Sequence, residues 1–239
     1  MVSELKQKSA HLGCAVVVFV VLAGFVLTYA KYRSGQIEKH RQSEAIATAE
    51  GFAKVLDEVR SKQSKLVVQK LTGSLSIKAV NHGTVWETWQ TSRVPFSAQY
   101  TVDLSQLSSE KVRYDENTKT MFVEIPQVVI EDPNVDETKK VITGRGGVWT
   151  SREAAENIAA RTSKLALAGA QTTANTPNKI KSAGDNARLE VDRLLELPLR
   201  NSKQKDLNVV VRLSTDGARD GERWDVSPSI EQILARRDP

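Results

Sequence analysis

A single cysteine in 239 residues, Cys14, removes any intrachain disulfide and any thiolate metal site. A cysteine-free body is compatible with either redox compartment. Histidine is scarce as well. His11, His40 and His82 are far apart and lack the companions of a metal site, so no metal is expected. The chain has no G-x-S-x-G elbow, H-E-x-x-H pair, P-loop, dinucleotide fingerprint or kinase signature. Neither a cofactor nor catalysis is therefore expected. Aromatics make up only 5% of residues and do not interleave with basic ones, and the net charge of +5 is spread among acidic neighbours. That pattern describes a solvated surface rather than a nucleic-acid stripe.

What the chain does have is an uncharged apolar run from Leu12 to Ala30, closed by Lys31. At 1.5 Å per residue, a helix of that length crosses a hydrocarbon core about 30 Å thick. A cleaved signal peptide would have a shorter core and an A-x-A-like exit, which Thr28-Tyr29-Ala30-Lys31 does not offer. A lipidated cysteine should follow its signal, whereas Cys14 precedes most of the run. A buried globular helix would carry a polar stripe, and this run has none. The expectation is a single transmembrane helix over residues 12–32, after a tail of residues 1–11. Tyr29 and Tyr32 would sit in the interfacial belt. The charges on the two flanks and the common inward orientation of a short N-tail argue in opposite directions, which leaves the side of the body open.

The rest of the chain reads as α+β. Residues 33–64 suggest a membrane-proximal helix, with Ile37, Ala45, Ala49, Phe52, Leu56 and Val59 as a narrow apolar seam. Gly51 argues against its continuity. Residues 65–213 suggest an antiparallel β-rich segment, two packed helices and a closing strand. Strands are expected at Leu66–Val68, Leu75–Ala79, Val85–Thr91 and Phe96–Leu104, with breaks at Thr72-Gly73-Ser74 and Arg93-Val94-Pro95. Val112–Tyr114 and Thr120–Ile125 form a hairpin across a turn-rich segment, with Met121, Val123 and Ile125 on one face. Thr150 and Glu153 match a capping box opening a helix that packs Ala154, Ile158, Leu165 and Ala168. Pro177 suits the first position of a second helix, with Ile180, Ala183, Ala187, Val191, Leu194 and Leu195 as its apolar stripe. Leu207–Leu213 is the closing strand. Residues 214–239 read as a polar tail with a short helix near Ile230.

The ordered set Tyr100–Leu107, Tyr114-Asp115, Phe122–Pro126 and Pro133-Asn134-Val135-Asp136 resembles domain-of-unknown-function family 4230, over roughly Lys65 to Leu213. The resemblance implies a bacterial protein with one N-terminal membrane helix, a β-rich segment, an alanine-rich helical segment and a closing strand. It supplies no catalytic residue.

Candidate sites are few. Asp132-Pro133-Asn134-Val135-Asp136 opens like a calcium loop, but Glu137 and Thr143 stand where glycine and a bidentate glutamate belong, so a solvated turn is expected. Gly144-Arg145-Gly146-Gly147 ahead of a capped helix is a candidate anion cradle, with Arg145, Gly146 and Gly147 as its residues. Asp103 and Asp115 fit structural roles at strand ends and turns. Trp86 and Trp89 are read as structural. Trp149 is placed to staple the following helix. Phe52, Leu56 and Trp224 are the candidate partner-binding residues, the last an isolated aromatic in a polar segment.

The sequence thus points to a non-enzymatic structural or assembly component of a bacterial inner membrane, binding the lipid bilayer and other membrane proteins or itself. A stomatin-like oligomeric scaffold and an uncharacterised hydrolase or ligand sensor are the alternatives.

Overall fold

The computed structural model describes residues 2–82, 87–147, 152–201, 207–216, 224 and 226–236. For residues 2–24, 26–27, 197 and 200–201 the description covers the backbone alone. The chain divides into two compact units, Met1–Ala49 and Glu50–Pro239.

One helix, α1 (Val2–Lys62), replaces the two separate helices expected there and passes through Gly51 without a break. In the first unit, Phe25, Tyr29, Tyr32 and Ile37 are exposed. Among the described residues no helix is long and apolar enough to cross a membrane. Most of the run from Leu12 to Ala30 lies outside the described side chains.

The second unit is α+β and holds two sheets. In the first, β1 (Lys65–His82) and β2 (Glu87–Asp103) form a long antiparallel ladder from Lys65 opposite Asp103 to His82 opposite Glu87, with one bulge between Val67 and Gln69. Three short strands follow the other edge of β2 in antiparallel fashion: β5 (Val129–Ile130), β6 (Asn134–Val135) and β7 (Val141–Gly146). Neither expected break occurs. Gly73 and Ser74 lie opposite Phe96 and Pro95 across the ladder. The Phe96 ring lies over Gly73, 2.9 Å from where a Cβ would stand, and so fills the missing side chain. The Pro95 carbonyl accepts from the Asp136 N–H at 3.0 Å. In an antiparallel ladder a residue's N–H and C=O point the same way, so the donor proline lacks falls on that side too. There the third strand is interrupted between β6 and β7.

Burial along β2 has period two: Thr88, Gln90, Ser92, Val94, Phe96, Ala98, Tyr100 and Val102 are all buried, the sign of one face covered by another layer. That layer is α2 (Arg152–Ala174), which packs on β1 and β2. Its buried stripe is Ile158, Thr162, Ala166, Ala170 and Ala174, one residue in four. Leu165, expected in the core, is 46% exposed, and Ala168 is exposed too. The physical reason is proximity. A Cβ on Gly169 would stand 3.2 Å from Leu75 Cδ1, so beyond Ile158 and Thr162 the face toward the sheet carries only small residues, Ala166, Gly169, Ala170 and Ala174. Tyr100 locks the end of α2, its buried hydroxyl donating to the Ala174 carbonyl at 2.8 Å.

The second sheet has the order β3 (Val112–Asp115), β4 (Thr120–Ile125), β8 (Asn208–Leu213), with β3–β4 the expected hairpin and β8 parallel to β4. Met121, Val123 and Ile125 share its fully buried face. In the turn, the Asp115 carboxylate accepts from the Asn117 N–H and the Thr118 hydroxyl. The helix α3 (Pro177–Asn201) packs on β8 and β1. The helices α2 and α3 thus each rest on sheet. Ala183, Ala187, Val191 and Leu195 are buried as expected, whereas Ile180 is 40% exposed and Leu194 half-buried. Phe52, Val55, Leu56 and Val59 at the end of α1 belong to the core. The segment 226–236 is built into the unit: the Tyr114 N–H donates to the Pro228 carbonyl, and α4 (Ile230–Ala235) buries Ile230 and Ile233 behind a Ser229–Gln232 capping box.

Candidate functional site

The residues singled out in the sequence do not converge. Phe52 is fully buried and Leu56 is 4% exposed, so both serve packing and neither is available to a partner. A lone Phe on a narrow helical seam looks the same in sequence whether it meets a neighbour or its own domain.

Trp224 also turns inward. On the outer face of the second sheet Arg113, Phe122, Val210 and Arg212 project together, because register sets Arg113 beside Phe122 and Phe122 beside Val210. Trp224 lies half-buried on this face. Its ring meets Phe122 edge-on at 6.2 Å, while the Arg113 and Arg212 guanidinium carbons stand 5.2 and 4.7 Å from its centroid. Arg113 also donates to the Ser227 carbonyl, and its Nε is buried with no hydrogen-bond partner. The π face of Trp224 is what offsets that charge. The indole thus fastens the C-terminal segment to its own sheet.

The glycine-rich segment is built into a strand. Gly144, Arg145 and Gly146 form β7, paired with Thr91, Gln90 and Trp89. A Cβ on Gly146 would stand 2.5 Å from the Trp89 indole nitrogen, so the glycine makes room for that ring. Gly147 has φ +87°, and a Cβ there would strike the Glu87 carbonyl oxygen. Both glycines serve backbone geometry and indole packing. Arg145 is exposed on the strand. Trp89 is capped on the same outer side by Lys78 Nζ, 5.1 Å from its centroid. Thr150, Trp149 and Trp86 lie outside the described residues.

The aspartates serve as caps. Asp136 accepts from the Thr138 and Lys139 N–H groups and from the Thr138 hydroxyl. The Thr138 hydrogen bond, then Lys139, pull its pKa down to about 2. That holds the carboxylate in the turn, the role expected of it. Asp103 accepts from the Ser105 N–H and hydroxyl and from the Gln106 amide, and its pKa is lowered by those side-chain bonds.

The structure does assemble a polar groove that pattern reading missed. Asn81 and His82 at the end of β1 face Asn157, Ala160, Arg161 and Lys164 of α2 around a cavity of about 420 Å³. Arg161 is fixed by donating to the Val80 carbonyl. His82 Nδ1 lies 2.8 Å from Glu87 Oε1. The groove offers cations and amides, a setting for a small anion. Its signal in sequence was the i, i+4, i+7 spacing of Asn157, Arg161 and Lys164 on one side of α2. A second groove of about 600 Å³ lies where α2 meets α3, lined by Ala168, Gln171, Thr172, Asn175, Thr176 and Pro177, with no charged group.

Residues 38–206 match a family described as "Protein of unknown function (DUF4230)", and the chain belongs to it. The match begins within α1, well upstream of the Lys65 boundary of the resemblance read from the sequence. No curated protein and no solved structure matches the chain.

Proposed function

We propose that this is a single-pass membrane protein of a bacterial inner membrane, whose body is a structural or assembly component that binds other membrane proteins or itself, and catalyses nothing. The observation that carries the anchor is the uncharged run from Leu12 to Ala30, closed by Lys31 and Arg33, within an unbroken helix. Binding in place of catalysis is supported by the use made of the carboxylates: Asp103, Asp115 and Asp136 are each occupied in holding a turn.

Carbonate extraction of membranes from cells expressing the full chain tests the anchor. The natural chain is expected in the pellet, and the pair Val18→Arg and Leu22→Arg in the supernatant, since each arginine at a helix centre costs about 2.5–3.5 kcal/mol of insertion energy. Release of the natural chain by carbonate would overturn the anchor.

A further inference from the structure

The longest strand of the protein is also an edge. β1 has 18 residues, and among the described residues only one of its sides is paired, with β2. An edge strand leaves a row of N–H and C=O groups without partners, and proteins blunt such edges with bulges, lysines or covering side chains. Those devices are present here, but only toward the two ends. At the start, the Gln63 amide donates to the Lys65 carbonyl, a bulge lies between Val67 and Gln69, and Lys70 follows. At the other end stand Lys78 and the Arg161 bond to the Val80 carbonyl. Between them, Leu71 to Ile77 carries neither charge nor bulge, and Thr72, Gly73, Ser74 and Ser76 are exposed. Among the described residues, no donor or acceptor outside β2 is bonded to this stretch.

We propose that this open stretch is where a second copy of the chain adds, β1 against β1, antiparallel about a two-fold axis perpendicular to the sheet. Such an isologous pairing satisfies the same edge on both copies and closes the assembly at a dimer. The axis keeps each side chain on its own face, so the register must centre on a residue, not between two. Charge selects among the centres. A Ser74 centre would set Lys70 against Lys78 of the second copy, and like charges directly opposite are destabilising. A Leu75 centre would bring Lys70 onto Val80, where Arg161 already sits. A Gly73 centre avoids both. It aligns Leu71 with Leu75 of the second copy and Thr72 with Ser74, and leaves only glycine at the axis. It also keeps both α2 helices on one side of the joined sheet. The flank of α2 that carries Arg161 bears Leu165, 46% exposed, which the second copy's helix would cover. The proposal rests on the reading of the body as a protein-binding module and is independent of the anchor.

The test uses the full chain with Cys14→Ser, carrying Thr72→Cys in one tagged copy and Ser74→Cys in another, co-expressed, extracted in mild detergent and oxidised. Both substitutions lie on the exposed outer face of β1, so the fold is retained. A disulfide-linked heterodimer is expected on non-reducing electrophoresis, with neither variant cross-linking alone. The unsubstituted chain is expected to show a dimeric native mass. Cross-linking by Ser74→Cys alone would overturn the Gly73 register. A dimeric mass without any cross-link would overturn the β1 edge while leaving self-association standing. A monomeric mass would overturn the pairing altogether. None of these outcomes bears on the carbonate test of the anchor.

Discussion

Tyr100→Phe removes one oxygen atom and nothing else from the junction between β2 and α2, and the structure sets what that should cost. The ring is fully buried, and burial raises the phenol pKa, so the hydroxyl keeps its proton throughout the ordinary range. It donates to the carbonyl of Ala174, the last residue of α2. The last four carbonyls of a helix have no intrahelical donor. Here the Asn175 and Thr176 N–H groups turn to Gln171 and Thr173, which leaves Ala174 to Tyr100. The variant keeps the apolar burial and strands a buried acceptor, at a cost of about 1–3 kcal/mol. For a unit of this size each kcal/mol moves Tm by about 2–4 °C, so a fall of about 5 °C is expected. Thermal unfolding of the full chain measures it, and amide exchange localises it to the final turn of α2. An unchanged Tm together with undiminished protection at 171–174 would show that the hydroxyl does not hold the helix, and that α2 is placed by its small-residue stripe alone.

Leu195→Asp should abolish the cooperative transition, since an unpaired carboxylate would replace a fully buried side chain, while Leu189→Asp, at a position 55% exposed, should stay within about 0.5 kcal/mol of the natural chain; equal effects in thermal unfolding would place the stripe wrongly. Trp224→Ala should cost about 1–3 kcal/mol through the loss of two cation–π contacts and the Phe122 edge contact, and should speed proteolysis within 224–236 before the core opens; an unchanged cleavage pattern would count against the docking. The Asp136 pKa lies below its ordinary 3.8, so its charged form stabilises the fold above that value and the contribution is lost as pH falls toward about 2. The Tm advantage of the natural chain over Asp136→Ala should therefore shrink between about pH 4 and pH 2, and an advantage that grew on acidification would refute the assignment.

The elements were legible where the pattern is local. Thr120–Ile125 was legible as a strand with Met121, Val123 and Ile125 on one face, and those three are fully buried; the stretch from Phe96 was legible as a strand, which β2 carries to Asp103. The misreadings arose where a residue's local preference was overridden by its partner across space. Gly73 and Pro95 each look like a break, yet they sit one pair apart on the same ladder, one filled by Phe96 and the other aimed at a gap in the third strand. On α2, hydropathy favours Leu165 for the core, but a helix lying this close to a sheet selects for alanine and glycine, so the leucines go outside. The parallel pairing of β4 with β8 joins segments far apart in the chain, and alternation is the same for either direction of pairing.

The candidate site was less legible for a related reason. An isolated aromatic in a polar stretch, or an apolar seam on a helix, states that a surface will be covered but not by what. Phe52 is covered by its own chain, which withdraws it as a point of contact for another, and Trp224 is half-covered by the second sheet. Among the described residues, main chain is open along the outer edge of β1. No residue pattern marks that edge, because whether a strand is central or terminal is decided by which other segments pair with it. Thr72, Gly73 and Ser74 read as a turn in sequence because they are small and polar. In a strand, the same smallness leaves the backbone groups accessible, and the absence of charge among them leaves nothing to repel an identical strand. The features that disguised this stretch as a break are those that fit it for pairing.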